Sequence, residues 1–196
     1  MPDFVRTVPP GEDRERLTCP DCGFVAYENP KIIVGSVVAE GGRILLCRRA
    51  IEPRRGYWTL PAGYMEMAET VEEGARREAW EEAGARIAIE GVLAVYSIAR
   101  IGQVQVIFRA GLAEPGIAAG PESLEVGFFG WDEIPWQDIA FPSVHWALRR
   151  WHDMRDRPLA APATNPPDDP RGSRPLPLPV AHPSAHPSAQ PAGSAL

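Results

Sequence analysis

Glu78, Glu81 and Glu82 stand at i, i+3 and i+4 in the run GYMEMAETVEEGARREAWEEAG, which spans Gly63 to Gly84. On a helix that spacing gathers three carboxylates on one patch. Like charges so placed repel, and a divalent cation relieves the repulsion. Hard oxygen ligands that cage an ion incompletely suit Mg²⁺, which keeps positions for water and phosphate oxygens. An ion held this way can polarise a phosphorus centre, activate an attacking water and hold a leaving phosphate. The competing reading is a solvated surface helix, since Glu72–Arg76 and Glu73–Arg77 form favourable i, i+4 pairs.

These residues need elements to hold them. From Glu69 to Ala83 there is no proline and one interior glycine, Gly74, while Val71, Ala75 and Ala79 recur every four residues. This predicts a helix with Gly84 as the residue that ends it. Upstream, IIVGSVVA (32–39) and RILLCRR (43–49), split by Gly41-Gly42, predict a hairpin. WTL (58–60) predicts a short strand running into a Pro61-Ala62-Gly63 turn. Downstream, VLAVYSI (92–98) and VQVIFRA (104–110) predict a second hairpin, and the later half of ESLEVGFFGW another strand. A last helix is expected to start near Ser143 as N-cap, with Val144, Ala147, Leu148, Trp151 and Met154 on its buried face. Residues 1–30 read as an N-terminal segment, a polar lead-in followed by a CPDCG knuckle at 19–23. A compact domain is expected over 31–157. From Pro158 onward, 11 of the last 39 residues are proline, half of the 22 in the chain. A segment of that composition cannot bury a core, so 158–196, with its AHPS-AHPS duplication, reads as a disordered tail.

The spacing also matches a family. Gly63, five residues, Glu69, seven residues, then Arg77-Glu78-x-x-Glu81-Glu82-x-Gly84 resembles the box of the Nudix hydrolases at all seven defining positions. At roughly 0.06 per residue type, chance agreement in a chain this long is about one in a million. The resemblance implies an α/β fold, a Nudix α/β/α sandwich with a mixed β-sheet. It implies that Glu78, Glu81 and Glu82 ligate Mg²⁺ or Mn²⁺, and that Arg77 orients them through an ion pair with Glu69. Gly63 lets the loop bend where a Cβ would intrude. Ala79 and Ala85 stand where larger aliphatics are usual, a departure that bears on packing.

Further stretches, CPDCG, YENPK, ILLCRRAIEPRRGYWTLPAGYME, PESLE and DEIPW, are similar to one Nudix subgroup over roughly residues 16–152. Members of that subgroup hydrolyse FAD and ADP-ribose, and some carry an N-terminal zinc ribbon built from two cysteine pairs. Only Cys19 and Cys22 match it; a structural zinc needs four ligands, so a metal-free turn is expected and Zn²⁺ is not. Cys47, in an apolar strand, reads as core.

Around the box, Arg48, Arg49, Arg54 and Arg55 lie beside Tyr57 and Trp58, residue types that pair phosphate oxygens and stack a base. Solvated strand ends and local packing are their plainer reading. Glu122 and Glu125 fall where many Nudix enzymes keep an additional carboxylate serving as base or metal ligand. Met65 and Met67 flank the box loop, and His145 and His152 on the last helix read as structural or solvated.

The formal net charge of -6 excludes a broad basic face for nucleic acid. No run reaches the roughly 20 apolar residues that span a bilayer, and MPDFVRTVPPGEDRER lacks an apolar signal-peptide core. Three cysteines fit a reducing compartment, the cytoplasm. The sequence thus predicts a Mg²⁺-dependent hydrolase cutting the diphosphate bond of FAD or ADP-ribose. The alternatives are the same chemistry on NADH or a (d)NTP, or a Nudix module that senses a nucleotide without cutting it. A homodimer is an expectation from the resemblance.

Overall fold

The computed structural model describes residues 3–167. Along the chain lie β1 (Val5–Thr7), β2 (Arg16–Thr18), β3 (Val25–Ala26), β4 (Lys31–Glu40), β5 (Arg43–Arg49), β6 (Trp58–Thr59), β7 (Ala62–Tyr64) and α1 (Val71–Ala83). They are followed by β8 (Ile87–Ile98), β9 (Gln103–Leu112), β10 (Ser123–Phe129) and α2 (Pro142–Met154). A seven-stranded sheet runs β10-β5-β4-β9-β8, with β6 added to β5 and β7 to β4. It is mixed, because β4 and β9 are parallel while the other pairs are antiparallel.

β4 reads as an unbroken apolar run because it lies inside the sheet and buries both faces. Val37 packs with Ile44, Leu46, Tyr96, Trp146 and Leu148 in the layer shared with α2. Val38, one residue on, packs with Leu45, Ala79 and Ala83 in the layer shared with α1. Alternation along one strand thus couples both helical layers, giving the expected α/β/α sandwich. Each fully buried aliphatic contributes roughly 1.5–3 kcal/mol.

The first hairpin closes only at its tip, with Ala39 opposite Ile44 and Glu40 opposite Arg43. Beyond it the strands part. β7 takes β4 as partner at Ile33–Gly35, and β6 takes β5 at Cys47 and Arg48. The expected Pro61-Ala62-Gly63 turn is therefore largely strand, and a wedge-shaped split opens in the sheet.

α1 starts at Val71, two residues later than expected. Thr70 is its N-cap: the Thr70 hydroxyl accepts the Glu73 N–H at 3.2 Å, and the Glu73 carboxylate accepts the Thr70 N–H at 2.8 Å. Glu73 is occupied there, and Arg77 pairs with Glu69 and not with Glu73 as the surface-helix reading would have it. Gly74 has a packing reason, since a Cβ would meet Val34 Cγ2 of β4 at 2.8 Å. Gly84 ends the helix in the left-handed region, at φ 58°. In α2 the N-cap is Phe141, with no side-chain capping bond, and Pro142 opens the helix; Ser143 is buried in the first turn.

Two segments depart from the sequence expectation. The N-terminal lead-in forms a three-stranded antiparallel sheet, β1-β2-β3. After α2, Leu159 packs on the core. Ala163 then pairs with β8, accepting the Val95 N–H at 2.8 Å and donating to Leu93 O at 3.0 Å. The Asn165 side chain bonds both backbone groups of Ser97 at 2.8 Å. Chain that composition assigns to the tail is thus structured through Asn165, while residues 168–196 lie outside the described residues. Among those described, no helix is long and apolar enough to cross a membrane.

Candidate active site

The split between β4 and β5 continues as a cavity of about 800 Å³. Its lining includes Glu78, Glu81 and Glu82 of α1, Ala62 and Gly63 of β7, Arg49 of β5 and Glu122 before β10. α1 delivers the glutamates here because its Ala75–Ala79–Ala83 face is buried against the sheet, which turns the adjoining stripe to the split.

The three glutamates are not equivalent. Glu82 is 6% exposed and its carboxylate accepts the Ala62 N–H at 3.0 Å. Burial, reinforced by the charges of Glu78 and Glu122, pushes its pKa up to about 8 despite that hydrogen bond and nearby Arg49. Glu78 is also buried, and burial raises its pKa against the pull of Arg77. Glu81 is half-exposed. A Cβ on Gly63 would land on the Glu78 carboxylate, so any larger residue there would displace that carboxylate.

Arg77 holds the set together. Its Nε and Nη2 grip both oxygens of Glu69, at 3.0 and 2.8 Å. Nη1 donates to Glu78 at 2.7 Å and Glu81 at 2.9 Å, and Nη2 also reaches Tyr64 O at 2.9 Å. Arg77 pulls the Glu69 pKa down to about 2. The expected Arg77–Glu69 ion pair is therefore present, as a bidentate contact.

With Glu78 and Glu81 turned to Arg77, no trio of acidic side chains among the described residues forms a ready-made metal cage. The donor chemistry nonetheless fits a divalent ion. Two buried carboxylates, a half-exposed third and Glu122 line the cavity beside the guanidiniums of Arg77 and Arg49, and Arg77 is also taken by Glu69, leaving an excess of hard, negative oxygen.

The basic cluster is dispersed by the fold. Successive β5 residues point to opposite faces, so Arg49 lines the cavity while Arg48 turns away to Glu125, 3.6 Å off. Arg49 lies 5.2 Å from the Phe141 ring and donates to Pro53 O at 2.9 Å. Arg54 lies over Tyr57, and Arg55 is exposed outside the cavity lining. Trp58 packs edge-on to Phe129 at 4.8 Å as part of the core. Of the two loop acids, Glu122 faces the cavity and Glu125 does not. Met65 packs on Val34 and Phe108, whereas Met67 is 94% exposed, and neither lines the cavity. His145 and His152 stack on Trp136 and Trp131. Cys47 is buried, which raises its thiol pKa.

Sequence reasoning missed Tyr64, Arg100, Gln103 and Gln105, all in the cavity lining. The signal for the glutamines was present: polar residues alternating with Val104 and Val106 inside an apolar strand must face something other than core.

In the N-terminal knuckle, Cys19 donates its N–H to Phe24 O at 2.8 Å and accepts the Gly23 N–H at 2.9 Å through its carbonyl. Cys19 is buried and Cys22 exposed, and the Cys22 and Asp21 N–H groups lower the Cys19 pKa. Two thiols, with no third ligand gathered among the described residues, do not fit a four-ligand zinc site.

A carboxylate-bearing helix at a split in a mixed sheet, between two helical layers, defines a class: α/β/α proteins with an acidic, nucleotide-sized cleft. Comparison with known proteins narrows it. Residues 29–153 match the NUDIX domain and residues 3–28 the Nudix N-terminal family. The crystal structure of a NUDIX hydrolase from Nitrosomonas europaea superposes with a TM-score of 0.78 at 45% identity, covering 83% of this chain and 94% of that one. A MutT-like protein of Streptomyces ambofaciens is 37% identical over 102 residues, which span 52% of this chain and 64% of the relative. An ADP-ribose pyrophosphatase of Methanocaldococcus jannaschii is 31% identical over 113 residues, 56% of this chain and 67% of that one. The chain belongs to the Nudix family.

Proposed function

We propose that the protein is a divalent-metal-dependent pyrophosphohydrolase, with Mg²⁺ or Mn²⁺ held by Glu78, Glu81 and Glu82. Its substrate is the diphosphate bond of a nucleoside diphosphate derivative, FAD or ADP-ribose, giving AMP with FMN or ribose 5-phosphate. The observation that carries this reading is the gathering of Glu78, Glu81, Glu82 and Glu122 on a cavity of about 800 Å³, large enough for a dinucleotide. The ADP-ribose pyrophosphatase relative supports the substrate class.

Bound metal would supply charge neutralisation at the diphosphate and an activated water. The chain's own residues do the rest. Arg77 counters the glutamates' repulsion and fixes their rotamers while bonded to Glu69. Glu122, near enough for its charge to act on Glu78 and Glu82, is the carboxylate left to take the water's proton. Arg49, beside the same acids, is placed to pair a phosphate oxygen. Three free thiols support a reducing compartment, the cytoplasm.

The test is incubation of the full chain with Mg²⁺ and, separately, FAD, ADP-ribose, NADH and dNTPs, with chromatographic identification of products. AMP appearing with FMN or ribose 5-phosphate is the expected result. Faster turnover of NADH or a dNTP would replace the substrate, and no turnover of any of them would leave a nucleotide-sensing module.

A further inference from the structure

The cavity lining also includes a stretch of β9 and its neighbours that carries no carboxylate. Across β4–β9, Ile33 lies beside Gln105, and across β8–β9, Ile98 lies beside Gln103. Side chains alternate along a strand, so Gln103, Gln105 and Ile107 share one face of β9. All of these line the cavity, together with Val144 and Trp146 of α2.

Into this apolar surround the chain puts two amides. Gln105 Nε2 reaches Gln103 Oε1 and Gln103 Nε2 reaches Tyr64 Oη, each at 3.4 Å, beyond ordinary hydrogen-bond lengths. An amide offers two N–H donors and a carbonyl acceptor, so the Gln105 carbonyl and an N–H on each glutamine are unspent. None of these groups is fully buried, so they open on the cavity and are available to a ligand. Arg100, on the 3-10 turn Ala99–Ile101 after β8, lines the same cavity. Among the described residues it has no hydrogen-bond or ion-pair partner.

A slot of isoleucine and tryptophan, edged by N–H donors around a carbonyl, complements a planar ring with a C(=O)–NH–C(=O) edge. The ring carbonyls accept from the guanidinium and an amide N–H, while the ring N–H donates to Gln105 Oε1. An adenine edge, one donor beside one acceptor, would be met by a single glutamine amide and leave Arg100 unused. A sugar alone would leave the apolar walls without a partner.

We propose that Arg100, Gln103 and Gln105 form a ring-recognition subsite for an imide-edged heterocycle, the isoalloxazine of a flavin or the pyrimidinedione of a uridine nucleotide. The subsite rests on the pyrophosphohydrolase reading only for where the phosphates lie. Ring binding itself needs neither metal nor turnover.

The test is titration of FMN with the metal-free full chain, followed by flavin fluorescence, in competition with UMP, AMP and ribose 5-phosphate. FMN or UMP should bind at least about tenfold more tightly than AMP, and Arg100→Ala and Gln105→Leu should each weaken that ligand roughly tenfold, the scale of one charge-assisted hydrogen bond. The FMN and UMP arms tell a flavin from a uridine nucleotide. Equal or tighter AMP binding, no binding of either imide ring, or an equal loss of every phosphate-bearing ligand in Arg100→Ala would overturn the subsite. The last outcome would make Arg100 a phosphate contact. Should Arg100→Ala not fold, Arg100→Gln makes the same comparison. Absence of turnover on any substrate would sink the hydrolase reading and leave these affinities still decisive.

Discussion

Replacing Glu82 by Gln should stabilise the metal-free protein at neutral pH while abolishing its activity. Glu82 is 6% exposed, with one backbone N–H donated to it, from Ala62 at 3.0 Å. Burial moves its pKa from 4.5 to about 8. The folded value lies above the unfolded one, so between the two the folded state keeps a proton that the unfolded state has released. The carboxyl's contribution to stability is therefore fully present below about 4.5 and is lost as the pH rises through about 8. At about 1.4 kcal/mol per pH unit, that window sets a ceiling of roughly 5 kcal/mol. Relaxation around a newly formed charge lowers this, and a loss of about 2 kcal/mol between pH 5 and pH 8 is the expected effect. Gln keeps a carbonyl for Ala62 and does not titrate. Urea unfolding in chelator, for wild type and Glu82→Gln across that range, measures the difference directly. The wild-type profile should fall relative to the variant's, and added Mg²⁺ should restore the wild type more than the variant. Turnover by the variant should drop at least about 100-fold, as for a lost ligand. Parallel pH profiles would refute the argument that a buried, uncompensated carboxylate sits at this position.

Other perturbations probe the neighbouring groups. Gly63→Ala forces a Cβ onto the Glu78 carboxylate and should lower kcat roughly 10- to 100-fold with the fold intact by circular dichroism; near-normal kcat would show that Glu78 has room to move. Glu122→Gln should cut kcat at least about tenfold, whereas Glu125→Gln, at an exposed residue paired with Arg48, should change it less than about twofold; equal effects would remove Glu122 from the chemistry. Glu69, held down to about 2 by Arg77, contributes stability above its ordinary 4.5 that disappears as the pH falls toward 2. Glu69→Gln should flatten that acid limb in thermal melts, and an unchanged limb would mean the pair contributes nothing there.

The acidic helix was legible because its chemistry is local: fixed spacing on one helix places Glu78, Glu81 and Glu82 whatever surrounds them. Its start was readable too, since Thr70-x-x-Glu73 is a capping-box pattern, yet periodicity alone put the boundary at Glu69. The arginines show the limit. Arg48 and Arg49 are neighbours in sequence but face opposite ways on β5, and only tertiary register decides which one meets the cavity. Arg100, Gln103 and Gln105 come to the same cavity from a separate hairpin, so no local pattern could join them to the box. The three-residue strands β1 and β2, the two-residue β3 and β6, and three-residue β7 are too short for alternation to register. Ser143 was a sound N-cap by residue type, but Pro142 fixes the backbone one position earlier.

The return of the chain along β8 has a consequence for handling the protein. β8 is the outermost strand of the sheet, and Ala163 and Asn165 take up backbone groups at Leu93, Val95 and Ser97. Proline content alone would suggest trimming the chain after Arg157. That cut would strip off these bonds, remove Leu159 from the core and bare unpaired donors and acceptors at Leu93–Ser97, the kind of template on which chains stack into aggregates. A boundary beyond Asn165 keeps the Leu93–Ser97 stretch of that edge closed.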